Sequence, residues 1–274
     1  MIPFFNGHLF DVGGVSIHLF GVLVALGVIV GDRIVVREGR KRGLDDADTK
    51  FLNARIVILG FIVAHLVSVI FYFPERIRES PWVLLNPLGG LSSFGGFLGA
   101  FIAFAYYTKK ENIPRLAYAD SVGLGLSVGW IFGRTGCFTA HDHPGRHTSF
   151  FLSVWYPKQT PTDVAGPRLD LGLDELLFTI VMTAVLFTYA RKPRPPGHVI
   201  GLACLMYAPV RFGLDFLRAT DVARPDLRYA GLTPAQWACL ATFALGVRLM
   251  RSRPTPESEP AQVPMPTRVP GGTE

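Results

Sequence analysis

Apolar residues cluster along the chain into long runs that are separated by short polar segments. Seven of these runs approach the roughly 20 residues that a helix needs to cross about 30 Å of hydrocarbon. We therefore predict an all-α integral membrane protein with seven transmembrane helices and a small head segment on the outer face. The predicted spans are 16–36, 53–73, 90–108, 116–138, 173–190, 197–217 and 233–250, and the head is 139–172.

The start of the third predicted span is crowded with glycine, at Gly89, Gly90, Gly95, Gly96 and Gly99. Irregular backbone is tolerated at membrane depth only where it faces protein or a cavity. We expect an irregular entry to this span, facing protein or a cavity rather than lipid.

Composition supports a single membrane domain. The chain has 274 residues, of which 49% are hydrophobic and 18% charged, whereas an ordinary soluble domain carries about 25% charged residues. We assign residues 1–253 to the membrane domain. Residues 254–274 are rich in Pro, Glu and Thr, and we expect them to form a disordered cytoplasmic tail.

The positive charge of the chain lies mainly in short loops. Lys and Arg number 27 against 21 Asp and Glu, a net charge of +6. Sixteen of the basic residues fall on one side of the predicted bundle and eight on the other, which places the richer side in the cytoplasm. The N-terminus is then outside and the C-terminus inside. Because these charges mark topology and lipid contact, we expect no nucleic-acid partner.

Ionisable residues within predicted spans are the first candidates for function, because they are costly in a membrane. Arg211 and Asp215 are four residues apart, with Arg218 three further on, so all three share one helix face. We expect them to meet Arg134 and Glu175 in the outer half of the bundle. Paired guanidinium groups suit a phosphate headgroup. Alternatively, the Arg211–Asp215 pair only staples the bundle and Arg218 only extends towards the interface.

A histidine-rich segment, 141–147, is the second candidate. Three histidines within seven residues invite a metal, but Pro144 breaks any helix between them, and the three cysteines show no CxxC spacing. We therefore expect no metal. His141 or His143 could act as a general base, since imidazole titrates near neutral pH, or the segment could be a plain interface loop. Cys137 is either an activated thiol or a small buried apolar residue.

Several stretches carry a family resemblance. Residues 133–146 are similar to Gly-Arg-x-x-Asn-Phe-x-Asn-x-Glu-x-x-Gly-Arg, and residues 211–218 to Arg-Phe-x-x-Glu-Phe-x-Arg. Residues 17–21, 89–99 and 231–237 match further motifs in the same order. Over residues 1–250 the chain resembles the prolipoprotein diacylglyceryl transferase family.

The resemblance implies a reaction in the bacterial cytoplasmic (inner) membrane that needs no cofactor. The diacylglyceryl group of phosphatidylglycerol moves to the lipobox cysteine thiol of a preprolipoprotein signal peptide, and glycerol phosphate leaves. Membrane lipid and these two substrates are the implied partners, and we expect a monomer. The resemblance implies Arg134, Arg211 and Asp142 as catalytic residues, and we add His141 or His143 as the candidate base, because the family's own histidine is missing here. The implied substrate-binding residues are Gly95, Gly96, Gly145, Asp215, Glu175 and Arg218.

The chain departs from the family motifs at Asp142 and Asp215, which stand in place of glutamates, and at four further positions. Phe94 stands in place of a histidine, Cys137 and Ala140 in place of asparagines, and Phe20 in place of a tyrosine. These changes leave open a divergent paralogue with another acceptor, or a non-catalytic lipid-binding protein. A transporter or channel that uses the arginines on an anion path is a further alternative, disfavoured because the sequence shows no internal repeat.

Overall fold

The computed structural model describes residues 1–5, 7–13, 15–86, 90–158, 164–222 and 228–252. Gly89 and the predicted tail 254–274 lie outside the described residues. The molecule is mostly helical. The helices are α1 Leu19–Lys41, α2 Asp46–Val67, α3 Pro74–Glu79, α4 Ser93–Lys110, α5 Arg115–Ala140, α6 Leu171–Ala190, α7 His198–Leu214 and α8 Pro234–Arg251. Ser68–Tyr72 continues α2 as a π-helix, and Pro81–Leu85 and Asp215–Leu217 form short 3₁₀ turns.

Local sequence explains where several of these helices begin. Asp45, Ser92, Asp170 and Thr233 each precede a helix, and each side chain accepts a hydrogen bond from a first-turn backbone N–H. Such caps satisfy donors that have no partner within the helix. The start of α7 is different, because its cap comes from another helix. The Asp120 carboxylate of α5 accepts from the backbone N–H groups of Gly197 and Ile200, both at 2.9 Å.

Two small sheets correct the all-α prediction. Strands β1 Ile2–Pro3, β4 Pro144–His147, β5 Val154–Tyr156 and β6 Gly166–Asp170 form one sheet in the order β1-β5-β6-β4. Strands β2 His8–Val12 and β3 Val15–His18 form a hairpin. The first sheet takes three of its four strands from the predicted head segment, and the N-terminus is part of it because β1 pairs with β5. Its strands are short and rich in Pro and Gly, so the pattern of apolar residues did not predict them.

Five helical segments are long and apolar enough to cross a membrane. They are Leu19–Lys41, Asp46–Tyr72, Arg115–Ala140, Leu171–Ala190 and His198–Leu217. Helices α4 and α8 coincide with the other two predicted spans and have 18 residues each. Their crossing stays a prediction.

Gly95, Gly96 and Gly99 lie inside the regular helix α4, so the irregular entry that we expected is confined, among the described residues, to 90–92. Gly95 brings α4 against α2 so closely that a Cβ atom would lie 2.7 Å from the Val63 carbonyl oxygen. Gly96 faces Ala64 of the same helix. Gly90 has a φ of +111°, a backbone conformation that favours glycine. Glycine here serves helix packing.

The long helices form two blocks. Helices α2 and α4 pack closely on each other, and α1 packs closely on α5, which also contacts α6. The two blocks meet through a hydrogen bond of 2.8 Å from Asn53 in α2 to Asp32 in α1. Between α4 and α5 the contact is slight and includes the Phe97 and Trp130 rings, 5.0 Å apart. A cleft therefore remains between α1, α2 and α5.

Asp120→Ala tests the capping of α7 from a neighbouring helix. The substitution leaves two backbone N–H groups without their acceptor, and we expect a loss of about 2 kcal/mol in the free energy of unfolding. Thermal unfolding in one detergent measures it, with exposed Glu111→Ala as the matched control. Equal melting temperatures for the two variants would contradict the assigned role of Asp120.

Candidate active site

A buried ion pair between α5 and α6 forms the centre of the site. Arg134 lies near the end of α5 and is 5% exposed, and Glu175 lies in the second turn of α6 and is 3% exposed. The Nε atom of Arg134 is 2.9 Å from Oε1 of Glu175. Gly133, which precedes Arg134, lines the apolar cleft between α1, α2 and α5.

Two aromatic side chains hold this pair in place. The Tyr207 hydroxyl of α7 donates a hydrogen bond of 2.6 Å to Glu175 Oε1, and the Trp130 indole N–H donates one of 3.2 Å to the same oxygen. The Trp130 ring also lies under the Arg134 guanidinium, 4.6 Å from its carbon. Such stacking stabilises a cation shielded from water. Glu175 is thus fixed from two directions.

The second arginine comes from α7 and meets the same carboxylate. Arg211 Nε lies 3.8 Å from Glu175 Oε2, and Arg211 Nη1 donates a hydrogen bond of 2.9 Å to Asp215 Oδ1. The predicted Arg211–Asp215 pair is therefore present. Arg218 approaches the same Asp215 oxygen at 4.0 Å. Three guanidinium groups and two carboxylates converge at this end of the bundle.

Asp215 is also tied to the start of α8. Its Oδ2 atom accepts a hydrogen bond from the Thr233 hydroxyl, while Thr233 and Gln236 form a reciprocal capping box. Gln236 further donates to the backbone carbonyl of Phe212, at 3.2 Å. These bonds fix the end of α7 against α8, and with it the direction of Arg211.

A second group of side chains lies against Arg134. The thiol of Cys137 is 3.7 Å from Arg134 Nη1. One ligand atom from each of Cys137, Asp142 and His143 lies within 4.8 Å of the others. The loop after α5 therefore folds back over the helix end, which sequence spacing did not reveal. These are donor types that Zn²⁺ accepts, but the adjacent guanidinium of Arg134 opposes a cation here.

His143 is held as a neutral base. Its Nδ1 atom lies 2.9 Å from the backbone carbonyl oxygen of Asp142. A carbonyl can only accept, so Nδ1 carries the proton and Nε2 keeps a lone pair. Enclosure by protein, together with the positive charges of Arg134 and Arg218, lowers the pKa of His143 to about 3.

Asp142 lies at the rim of the site, partly exposed and partly packed against protein. Its side chain keeps 45% of its exposure, yet the protein around the carboxyl raises its pKa to about 6, against the opposing charge of Arg134. The group therefore changes charge just below neutral pH.

The structure places His141 apart from this group. The residue is 2% exposed, stacks on Phe4 with ring centroids 4.3 Å apart, and its Nδ1 lies 2.6 Å from Asp170 Oδ2. The Tyr156 hydroxyl donates to the same Asp170 oxygen, at 3.0 Å. His141 thus joins the head sheet to the helix ends, whereas His143 lies with Cys137 and Asp142.

The glycines predicted to bind substrate have packing roles in the structure. A Cβ atom on Gly145 would lie 2.8 Å from Leu169 Cβ and 3.1 Å from the Leu217 carbonyl oxygen. Gly145 also bridges to Arg218, so it holds the head sheet against the turn after α7. Gly95 and Gly96 pack against α2, as described above. Their contact with substrate stays a prediction.

Sequence reasoning missed three residues of the site. Tyr207 and Trp130 each lie four positions before a site arginine, at the spacing that places two side chains on one helix face. That spacing was a usable signal. Thr233 was visible as a candidate helix cap, but its contact with Asp215 depends on how α8 packs.

Truncation of Glu175 tests the central ion pair. Glu175→Ala leaves two buried guanidinium groups without their shared carboxylate, and we expect a loss of about 3–5 kcal/mol in the free energy of unfolding. Tyr207→Phe removes one hydrogen bond and should cost about 0.5–1.5 kcal/mol. Thermal unfolding of both variants in the same detergent measures the difference. A smaller loss of stability for Glu175→Ala than for Tyr207→Phe would refute the role of Glu175 as the carboxylate that compensates both arginines.

Comparison with known proteins identifies the family of this chain. The family described as prolipoprotein diacylglyceryl transferase matches residues 8–251. A phosphatidylglycerol–prolipoprotein diacylglyceryl transferase of Polynucleobacter asymbioticus is 31% identical over 264 residues, covering 92% of this chain and 98% of the relative. Proteins of the same name from Clostridium tetani and Chromohalobacter salexigens are 26% and 28% identical, covering 87% and 86% of this chain and 94% and 88% of the relatives.

The match runs from the N-terminal hairpin to the end of α8 and includes every arginine and carboxylate of the site. The chain belongs to the prolipoprotein diacylglyceryl transferase family.

Proposed function

We propose that this protein transfers the diacylglyceryl group of phosphatidylglycerol to the lipobox cysteine of a prolipoprotein in the bacterial cytoplasmic membrane. The names of its relatives give this reaction for those proteins. The observation that carries the proposal here is the pair Arg134 and Arg211, both bound to Glu175 at one end of an apolar bundle.

The reaction requires charge stabilisation on the leaving group. The acceptor sulfur forms a bond to a glycerol carbon, the bond from that carbon to the phosphate oxygen breaks, and glycerol phosphate leaves. Negative charge grows on the phosphate as the bond breaks. Arg134 and Arg211, held in place before the substrate arrives, suit that charge. Their low exposure strengthens the interaction relative to water.

The thiol proton needs an acceptor, and His143 meets the requirement. One ring nitrogen of His143 lies in the group that contains Cys137 and Asp142, beside Arg134, and its Nε2 carries the free lone pair. The arginines disfavour a charged imidazole while the site is empty. A phosphodiester bound between them offsets their charge and makes protonation of His143 easier. Asp142, when ionised, stabilises the imidazolium that forms.

The cleft between the two helix blocks supplies a place for the lipid tail. It is lined mainly by apolar residues, with Asp32 and Asn53 at the end remote from the arginines. Trp130 lines this cleft, and its indole N–H donates a hydrogen bond to Glu175. The apolar cleft and the charged site are therefore adjacent, with the Trp130 side chain between them. A phosphate at Arg134 would direct one acyl chain into the cleft. The lining includes Val24, Val28, Val57, Leu126, Gly129 and Gly133.

The membrane arrangement is part of the proposal. All seven long helices cross the membrane, with residues 1–253 as one domain and the C-terminal tail in the cytoplasm. The N-terminus lies on the same side as the head 139–172, because β1 and the head share one sheet. This side is outside, because the basic loops lie at the opposite end of the bundle. The protein acts as a monomer on prolipoprotein signal peptides.

The substituted family positions support the rival proposal, a divergent or non-catalytic protein. Phe94, where the family has a histidine, is 45% exposed and cannot move a proton. If His143 does not replace that function, the chain is a divergent paralogue with another acceptor or a non-catalytic lipid-binding protein. A transfer assay with phosphatidylglycerol and a lipobox peptide separates these, because the rival predicts no modified peptide from the wild-type protein.

Arg134→Ala and Arg211→Ala should each lower the transfer rate by about 100-fold or more, since each removes a donor aimed at the leaving phosphate. Arg146→Ala, an exposed arginine of the head sheet, is the matched control and should retain activity. Near-normal rates for both site variants would contradict the proposed phosphate site.

Glutamine substitutions separate the two histidines. His143→Gln should lower the turnover number by about 100-fold, the usual contribution of a general base. His141→Gln should act mainly through stability, lowering the melting temperature while the folded protein keeps its turnover number. Loss of turnover in folded His141→Gln with normal turnover in His143→Gln would reverse the assignment.

The pH profile reports on Asp142. Its pKa of about 6 means that the carboxylate is ionised above pH 6 and protonated below it. We expect transfer to fall as pH drops from 7 to 5, because the neutral acid no longer stabilises the imidazolium. Asp142→Asn should be slower throughout and flat over this interval. A wild-type profile without this acidic limb would argue against the role of Asp142.

A further inference from the structure

Cys137 lies beside the arginine that we propose binds the leaving phosphate. Its sulfur lies 3.7 Å from Arg134 Nη1 and within 4.8 Å of ligand atoms of Asp142 and His143. The residue is half-buried. A nucleophile, a base and a group that stabilises the leaving phosphate are thus already assembled within the chain.

Arg134 places its charge next to this thiol. The guanidinium is 5% exposed, its Nη1 lies 3.7 Å from the Cys137 sulfur, and its Nε lies 2.9 Å from Glu175 Oε1 but out of line for a hydrogen bond. A buried guanidinium whose N–H groups are poorly aligned with its carboxylate gains hydrogen bonds from a phosphate oxygen. A phosphate oxygen at Arg134 would bring the glycerol carbon of the donor lipid close to Cys137.

We propose that Cys137 is an internal acceptor, which takes the diacylglyceryl group from the bound donor when no prolipoprotein thiol is present. This inference rests on the proposed function. The Cys137 sulfur forms a bond to the glycerol carbon, the bond from that carbon to the phosphate oxygen breaks, and the thiol proton passes to His143 Nε2. Glycerol phosphate leaves, and Cys137 carries a thioether.

The other cysteines lack this setting and serve as internal controls. Cys204 is half-buried like Cys137, but it lies in α7 against Gly246 of α8. Cys239 is buried within α8. Partial exposure is shared by Cys137 and Cys204, and charged neighbours by Cys137 and Cys239, whose thiol lies in the field of Arg211. Among the described cysteines, Cys137 combines partial exposure, a charged setting and a neighbouring histidine.

The modification changes how the protein responds to its substrates. A thioether is not displaced by a second thiol, so the modified protein holds a diacylglyceryl group where the donor has to bind. Activity should decline with time in the presence of donor lipid alone. A lipobox peptide should protect the protein, because its thiol competes with Cys137 for the same carbon.

The experiment uses the full-length protein in micelles with phosphatidylglycerol that carries deuterated acyl chains. Intact mass and peptide mapping follow the three cysteines, with and without a lipobox peptide. We expect the added diacylglyceryl mass on Cys137 at about tenfold or more over Cys204, resistance of the adduct to hydroxylamine, and release of one glycerol phosphate per adduct. Arg134→Ala should abolish the adduct, and Cys137→Ser should carry no thioether.

The outcomes distinguish this inference from the proposed function. Modified peptide with unmodified Cys137 overturns the inference and leaves the proposed function intact. Modified Cys137 with unmodified peptide supports the inference and removes the prolipoprotein acceptor. A hydroxylamine-labile adduct would be an acyl thioester and would overturn the thioether. If neither thiol is modified, both proposals fail.

Discussion

The guanidinium groups of Arg134 and Arg211 are tolerable inside an apolar bundle because carboxylates compensate them, Glu175 for both and Asp215 for Arg211. Glu175 contacts Arg134 and Arg211 and accepts hydrogen bonds from Tyr207 and Trp130. An uncompensated charge at this depth would cost several kcal/mol. Packing of α5, α6 and α7 is therefore coupled to the chemistry of the site, and Asp215 extends the coupling to α8 through Thr233. Electrostatic compensation fixes the geometry that a phosphate would meet.

The head sheet gives this charged centre its second component. Asp170 caps α6 with one oxygen and receives His141 and Tyr156 with the other. The cap thus anchors the start of the loop that carries Asp142 and His143, while Gly145 holds the following strand against the turn after α7. A neutral imidazole beside Arg134 results from this anchoring. The pairing of β4 with β6 and the hydrogen bond from His141 to Asp170 hold the residues after α5 over the helix end.

The apolar runs predicted where the long helices lie, because membrane helices are selected by length and hydrophobicity. Helical spacing likewise predicted that Arg211 pairs with Asp215. Other features depend on contacts distant in sequence. The short strands have no apolar signature, the distinction between His141 and His143 depends on Asp170, and the position of Cys137 depends on the returning loop. Glycines that resembled a substrate entry instead serve helix packing, since both uses need the same missing Cβ.

The contact between Phe97 and Trp130 couples the charged site to α4. These rings join α4 to α5, two helices that share few other contacts. One aromatic pair contributes about 0.5–1.5 kcal/mol, a small part of what holds the α2–α4 block, which also packs on α5 at the buried cluster around Tyr118. Because the Trp130 N–H donates to Glu175, the Phe97 ring acts on the position of the central carboxylate through one intervening side chain, while it adds little to the stability of the fold.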